Sequence, residues 1–208
     1  MKAGVLYSGG KDSSLAAILL GTQYDVELTT FVFETTRKIP SVEAAAQVLG
    51  FPLKKRTFRQ GLLDEVVDMV NKDRYPSNAI NLVHRTAVET LCSEYPVVSD
   101  GTRFNDRVPM LAHSEVQSLE SRMECSYVRP LLGYTKREVD RLAERFLVVR
   151  YGETGSIENG DYEAEIKTAC RNRGIDPGPL FPPHHDQSLV TGRKAGNTKK
   201  GDRYEQIE

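Results

Sequence analysis

The segment Ser8–Ser14, SGGKDSS, packs several kinds of polar chemistry into adjacent positions. Gly9 and Gly10 let backbone N–H groups approach a ligand with no Cβ in the way. Ser8, Ser13 and Ser14 bring hydroxyls, and Lys11 brings a point charge. An apolar run ends just before the segment and a Leu- and Ala-rich run follows it, so it lies where a strand hands over to a helix. A helix start adds unpaired N–H groups and the positive end of the dipole. Together these describe a cradle for an anion of phosphate or pyrophosphate size. Asp12 does not suit a simple anion site, because a carboxylate beside bound phosphates calls for a bridging Mg²⁺. A helix N-cap would account for one polar residue here, not for a run of them. The spacing differs from both GxxxxGK[ST] and GxGxxG.

The elements around this segment follow from hydrophobic period. Lys2 to Tyr7 reads as a buried strand and Asp12 to Gly21 as a helix with Leu15, Ile18 and Leu19 on one face. Asp25 to Phe33 reads as a second strand, Ser41 to Leu49 as a helix, and Leu53 to Phe58 as a weaker strand. Leu62, Leu63, Val66, Val67 and Val70 fall at helical spacing, and Pro76 to Tyr95 is a long helix pattern. Pro96 to Ser99 is a brief fourth strand and Val128 to Leu132 a fifth. Thr135 to Arg145 is a helix opened by a Thr135/Glu138 capping box, and Asp161 to Arg173 is a last amphipathic helix. From Gly178 onward Pro, Gly, His, Lys and Arg dominate, which predicts an irregular or mobile tail. The expected division is a domain over residues 1–175 and a Pro/Gly/basic tail over 176–208.

Strands alternating with helices imply an α/β fold, a doubly wound parallel sheet covered on both faces. Ligands bind such sheets beyond the C-terminal strand ends, near the switch point. Polar clusters stand at three predicted strand ends: SGGKDSS, ETTR after the second strand, and DGTRFNDR at Asp100–Arg107 after the fourth.

SGGKDS at Ser8–Ser13, directly after the first strand, resembles the signature of the PP-loop ATP pyrophosphatase superfamily. That group includes N-type ATP pyrophosphatases, tRNA thiolation enzymes, lysidine synthetase and the ATP domains of GMP and asparagine synthetases. DGTRFNDR is similar to the family's second loop, which carries an Asp, here Asp106. RPLLGYTKREV at Arg129–Val139 is similar to its Arg-Pro-Leu segment and following helix, so the likeness spans residues 1–146.

The resemblance implies a five-stranded parallel sheet of the adenine nucleotide alpha hydrolase-like, Rossmann-like kind. It implies ATP and Mg²⁺ as cofactors, and cleavage of ATP between the α- and β-phosphates. AMP goes to a carbonyl or carboxylate oxygen of an acceptor, and an amine, ammonia or sulfide then displaces it. Lys11, Asp12 and Asp106 are the implied catalytic residues, with Asp12 and Asp106 on the metal. The implied nucleotide-binding set is Ser8, Gly9, Gly10, Lys11, Asp12, Ser13, Ser14, Phe33 near the adenine, Gly101, Thr102 and Arg129, with ordinary core the equal reading of Phe33. Asp106 is expected to face Ser8–Ser13 across the switch point, with a simple turn residue as the other reading, and Arg129, inside the fifth strand, to reach the same cleft or pair with an acidic neighbour. A non-catalytic nucleotide-binding regulator of the same fold is the alternative.

Sulfur-transferring relatives carry a thiol in the long helix after the third strand, whereas YPSNAINLVHR has none. Cys92 and Cys170 read as core, and an odd, sparse cysteine count predicts reduced thiols in a cytoplasmic protein. His184 and His185 make a weak metal pair beside a simple solvated turn. The segment Arg193–Arg203 is basic enough to touch the phosphates of a tRNA acceptor, or to be a solvated tail. A net charge of -1 excludes a global basic field, and no apolar stretch approaches a membrane span. The expected partners are ATP and an unknown acceptor, with no membrane; a homodimer is left open.

Overall fold

Five short segments of this chain pair side by side in the order β3-β2-β1-β4-β5, all parallel. The computed structural model describes residues 1–153, 157–182 and 186–194. The strands are β1 (Lys2–Leu6), β2 (Asp25–Val32), β3 (Leu53–Thr57), β4 (Val97–Ser99) and β5 (Ser126–Val128). The helices are α1 (Lys11–Leu20), α2 (Pro40–Leu49), α3 (Leu62–Asp73), α4 (Ser77–Cys92), α5 (His113–Met123), α6 (Lys136–Phe146) and α7 (Tyr162–Asn172). The fold is the expected doubly wound α/β sheet.

Strand periodicity builds two cores, one on each face of the sheet. Ala3 and Val5 of β1, Leu28 and Val32 of β2, and Val97 of β4 pack with α1, α2 and α6 through Leu15, Val42, Leu49 and Val139. Leu6, Phe31 and Val98 point the other way, onto α3, α4 and α7 through Val66, Val83, Leu91 and Ile166. The edge strand β3 carries Lys54, Lys55 and Arg56, charges that keep an open edge from pairing with another chain. Sheet order reverses between β1 and β4, so the switch point lies between the loops at Ser8 and Asp100.

Several expectations change. β5 ends at Val128, so Arg129 lies beyond the strand, in a turn where the Leu132 N–H bonds the Arg129 carbonyl at 3.1 Å. Thr135 makes no side-chain cap on α6, and Glu138 instead lies 3.6 Å from Arg141 on the exposed face. The segment expected to be an irregular tail contains β7 (Asp186–Arg193), which pairs antiparallel with β6 (Leu147–Glu153). Its Leu189 and Val190 are buried or half-buried against the α1 and α2 core, a tertiary contact that a run of polar residues around two apolar ones does not advertise. His184, His185 and residues 195–208 lie outside the described residues.

Cys92 and Cys125 are joined, with their Cα atoms 5.5 Å apart, and only Cys170 among the described residues is a free, buried thiol. This replaces the reading of three reduced thiols. The pairing of β4 with β5 brings the end of α4 against the residue before β5, across 33 positions of sequence. Closing a loop of that length contributes about 3–4 kcal/mol by loss of unfolded-chain entropy. Cys92→Ala and Cys125→Ala should each lower the melting temperature under non-reducing conditions and converge with the wild type under strong reductant. Equal stability of wild type and variants without reductant would show that the bond does not form. No helix among the described residues is long and apolar enough to cross a membrane.

Candidate functional site

The chain turns sharply out of β1 at Ser8 and Gly9, where Gly9 takes φ +81°, a region that L side chains rarely adopt. Gly10, extended, leads directly into α1. The turn is cross-braced by its own hydroxyls. Ser13 Oγ accepts from the Ser8 N–H at 3.3 Å and donates to the Gly10 carbonyl at 3.2 Å, and the Gly10 N–H donates to Ser8 Oγ at 3.3 Å. The Lys11 N–H donates to Ser188 Oγ of β7 at 3.1 Å, and the Val190 N–H to the Gly9 carbonyl at 2.9 Å. A strand absent from the sequence reading thus clamps the loop from outside.

Lys11 is buried at 6 % exposure, and its ammonium sits 3.2 Å from Asp12 Oδ1 and 3.4 Å from Asp140 Oδ1 of α6. Burial raises the Asp140 pKa, but its bond to Lys136 and the charge of Lys11 outweigh that and hold it below its usual value. Across the switch point, Asp106 grips the Arg103 guanidinium at 2.5 and 3.0 Å and accepts the Arg103 N–H at 2.8 Å. Arg103 Nε lies 3.7 Å from Asp12 Oδ2. Asp106 therefore reaches the Ser8–Ser13 turn through Arg103.

Both loops open onto a cleft of about 560 Å³, the size of a small-ligand site. Ser8, Gly10, Asp12 and Ser13 line it from the first loop, and Gly101, Thr102, Arg103 and Asp106 from the second. Gly101 is obligatory. A Cβ there would lie 2.6 Å from the Ser13 nitrogen and 2.7 Å from the Asp12 carbonyl carbon.

Other expected residues turn elsewhere. Ser14 is fully buried and donates to Tyr7 Oη at 3.3 Å, facing the interior. Phe33 packs on Phe58 with centroids 4.8 Å apart and is not among the residues lining the cleft, because an apolar ring is better accommodated in that aromatic cluster. Arg129 donates to the Leu111 carbonyl at 3.2 Å and lies over Tyr127, tying down the 108–111 segment instead of reaching the cleft.

Residues of no expected role complete the site. Asn159, Gly160 and Tyr162 before and within α7, with Gln187 and Ser188 of β7, form one wall. His84 of α4 and Asp100 at the end of β4 lie opposite, buried at 4 % and 3 % exposure. His84 Nε2 is 2.7 Å from Asp100 Oδ2 and 3.2 Å from Tyr127 Oη; Tyr127 also donates to Asp100 Oδ2, and the Thr102 N–H to Asp100 Oδ1 at 2.9 Å. Both His84 and Asp100 stand in segments that drew attention for other reasons, YPSNAINLVHR and DGTRFNDR.

Burial acts to raise the Asp100 pKa, but the bonds from His84, Tyr127 and Thr102 prevail and lower it from its ordinary 3.8. A carboxyl depressed in the fold stabilises it fully above the unfolded-state pKa, and that contribution fades as pH falls through the lower folded value. Asp100→Asn should therefore cost about 1–3 kcal/mol near neutrality, with the deficit narrowing only in acid, below the unfolded carboxyl pKa. Chemical denaturation of both proteins along a pH series checks this; a deficit independent of pH would rule the charge out.

Mg²⁺ can be judged against the donors. Asp12 Oδ1 is buried and accepts no hydrogen bond, with the Lys11 ammonium 3.2 Å from it, whereas Asp106 is committed to Arg103. Among the described residues no three His, Cys, Asp or Glu gather into a metal cage. The donors suit a cation held by Asp12 together with a ligand's own phosphates, the habit of Mg²⁺.

A model of a family of unknown function, DUF7411, matches residues 1–192. A protein of Methanocaldococcus jannaschii, described only as uncharacterized, is 40% identical over 195 residues, which is 93% of this chain and 97% of that one. A crystal structure from the same organism, described as a predicted subunit of tRNA methyltransferase, superposes with a TM-score of 0.85 at 39% identity, covering 94% of this chain and 99% of that chain. An NH3-dependent NAD synthetase from Campylobacter jejuni superposes with a TM-score of 0.46 at 16% identity, over 69% of this chain and 62% of that chain.

Proposed function

The chain belongs to the DUF7411 family, and from its cleft we propose that it is an ATP-dependent adenylating enzyme of the PP-loop type. It cleaves ATP to AMP and pyrophosphate and activates a carbonyl or carboxylate oxygen for attack by an amine, ammonia or sulfide. The observation that carries this reading is the placement of Ser8–Ser13, with its helix start, glycines and buried Lys11, at the β1/β4 switch point of a parallel sheet. The loop hydroxyls and the α1 N-terminus hold the departing pyrophosphate, and Lys11 offsets the charge that grows on it. Arg103, 3.7 Å from Asp12 and held by Asp106, presents a second cation to the phosphates. Asp12 would hold Mg²⁺, and the ion would supply positive charge to offset that of the phosphates.

tRNA is the acceptor we favour, because a similar protein of known structure is described as a predicted subunit of tRNA methyltransferase. A second reading, a nucleotide-binding regulator without chemistry, is favoured by the commitment of Asp106 to Arg103, which leaves one carboxylate for a metal. One experiment separates them. The protein is incubated with Mg²⁺, ATP labelled at the α-phosphate, unfractionated tRNA and ammonium or hydrosulfide. AMP and pyrophosphate are expected. ATP binding without AMP favours the regulator, and ADP or no binding removes both readings.

A further inference from the structure

Three titratable side chains, His84, Asp100 and Tyr127, are buried together at 4 %, 3 % and 6 % exposure beside the phosphate loop. Burying such groups is costly unless each is satisfied, and apolar residues would pack the same space more cheaply. Their hydrogen bonds also fix a proton. Tyr127 spends its single hydroxyl proton on Asp100 Oδ2, and a carboxylate only accepts. The 2.7 Å contact from His84 Nε2 to the same oxygen therefore needs the proton on Nε2. In the neutral ring this leaves Nδ1 as a bare acceptor. Among the described residues Nδ1 has no hydrogen-bond partner, and it is not a buried orphan. His84 lines the cleft along with Ser8, Asp12 and Asp106.

We propose that His84 is the proton acceptor of this cleft, with Nδ1 taking the proton of the nucleophile and with Asp100 and Tyr127 as its positioning residues. The assignment rests on the adenylation reading above and deepens it. In the step concerned, a bond forms between the nucleophile and the activated carbon of the acceptor. The bond from that carbon to the AMP oxygen breaks, and its electron pair leaves on AMP. The proton of the amine, ammonia or hydrosulfide passes to His84 Nδ1. The resulting imidazolium lies 2.7 Å from the Asp100 carboxylate, which stabilises it and holds the ring in place. The groups facing this pair are Tyr127 from β5, with Arg129 over its ring, and Tyr162 from α7, which senses the Asp100 charge.

Two measurements on the full chain test this. The first needs no acceptor: ¹⁵N spectra of the imidazoles near neutral pH, with the His84 signal identified by its loss in His84→Gln. An Nε2-protonated ring is expected, reactive at Nδ1 toward diethylpyrocarbonate and protected by Mg²⁺-ATP. A ring protonated at Nδ1, or one that reagent does not reach, overturns the proposal. The second uses unfractionated tRNA with ammonium or hydrosulfide as probes. In His84→Gln, AMP release should fall about 10²–10⁴-fold, the usual worth of a general base, while ATP–pyrophosphate exchange falls far less. Asp100→Asn should displace the pH profile of AMP release as well as lower it. Wild-type rates of AMP release in a folded His84→Gln sink the base assignment alone. No AMP and no exchange in the wild type sinks the adenylation reading, and the base assignment with it.

Discussion

Gly101→Ala is expected to weaken nucleotide binding about 10²-fold. The new Cβ would sit 2.6 Å from the Ser13 nitrogen, 2.7 Å from the Asp12 carbonyl carbon and 3.0 Å from the Ser13 Cα. All three are backbone atoms of the first turn of α1, so no side chain can swing aside to relieve the clash. Either the loop after β4 lifts away or the start of α1 moves, and both line the cleft. Overpacking of this kind costs about 1–3 kcal/mol of stability. The functional loss should be at least as large, because a displacement of about 1 Å in a functional constellation can cost about 10²-fold. Calorimetric titration with Mg²⁺-ATP and a thermal melt read the two effects separately. Gly133→Ala is the control, since an added Cβ there meets nothing within 4 Å. ATP affinity in Gly101→Ala equal to that of the control would remove this loop contact from the site.

Lys11→Met should be the other severe change. The ammonium is nearly buried and lies between Asp12 and Asp140, so its removal leaves two carboxylates without the cation they share. Breaking a fully buried ion pair costs about 3–5 kcal/mol. Here the cost is smaller, because the two side chains retain 27% and 28% exposure. For pyrophosphate release, loss of one preorganised positive group should lower turnover about 10²–10³-fold. The double variant Lys11→Met/Asp140→Asn separates the effects: it should regain stability but not turnover. Coupling of this kind is expected for side chains in one network. If the double variant regains turnover as well, Lys11 serves the fold and not the phosphates.

Much of the scaffold was legible because its signals are local. The strand-to-helix handover at Ser8–Ser14 needs glycine freedom, hydroxyls and a helix start, all of which are residue types at fixed spacing. The five parallel strands follow from apolar runs separated by helical periods, and the parallel arrangement alone places Ser8 and Asp106 on one edge of the sheet. β6 and β7 were not legible. Val148 and Tyr151 of β6 are 47% and 53% exposed, and β7 offers only Leu189 and Val190 as an apolar pair, so neither carries the pattern of a buried strand.

What the sequence by itself determined is the glycine-rich turn from β1 into α1, the parallel sheet and the sheet edge that Ser8 and Asp106 share, since each is written in neighbouring residues. Tertiary structure alone decided which charges meet. Lys11 meets Asp140 because α6 packs against α1; Cys92 meets Cys125 because β4 pairs with β5; His84 meets Asp100 and Tyr127 because α4 lies across those same strands. It also decided which candidates turn away, as Ser14 did toward Tyr7 and Arg129 toward Leu111. The reason is physical. Propensity and period act over a few residues, whereas the pairing of buried polar groups is settled by desolvation, which is felt only once distant elements have closed around them.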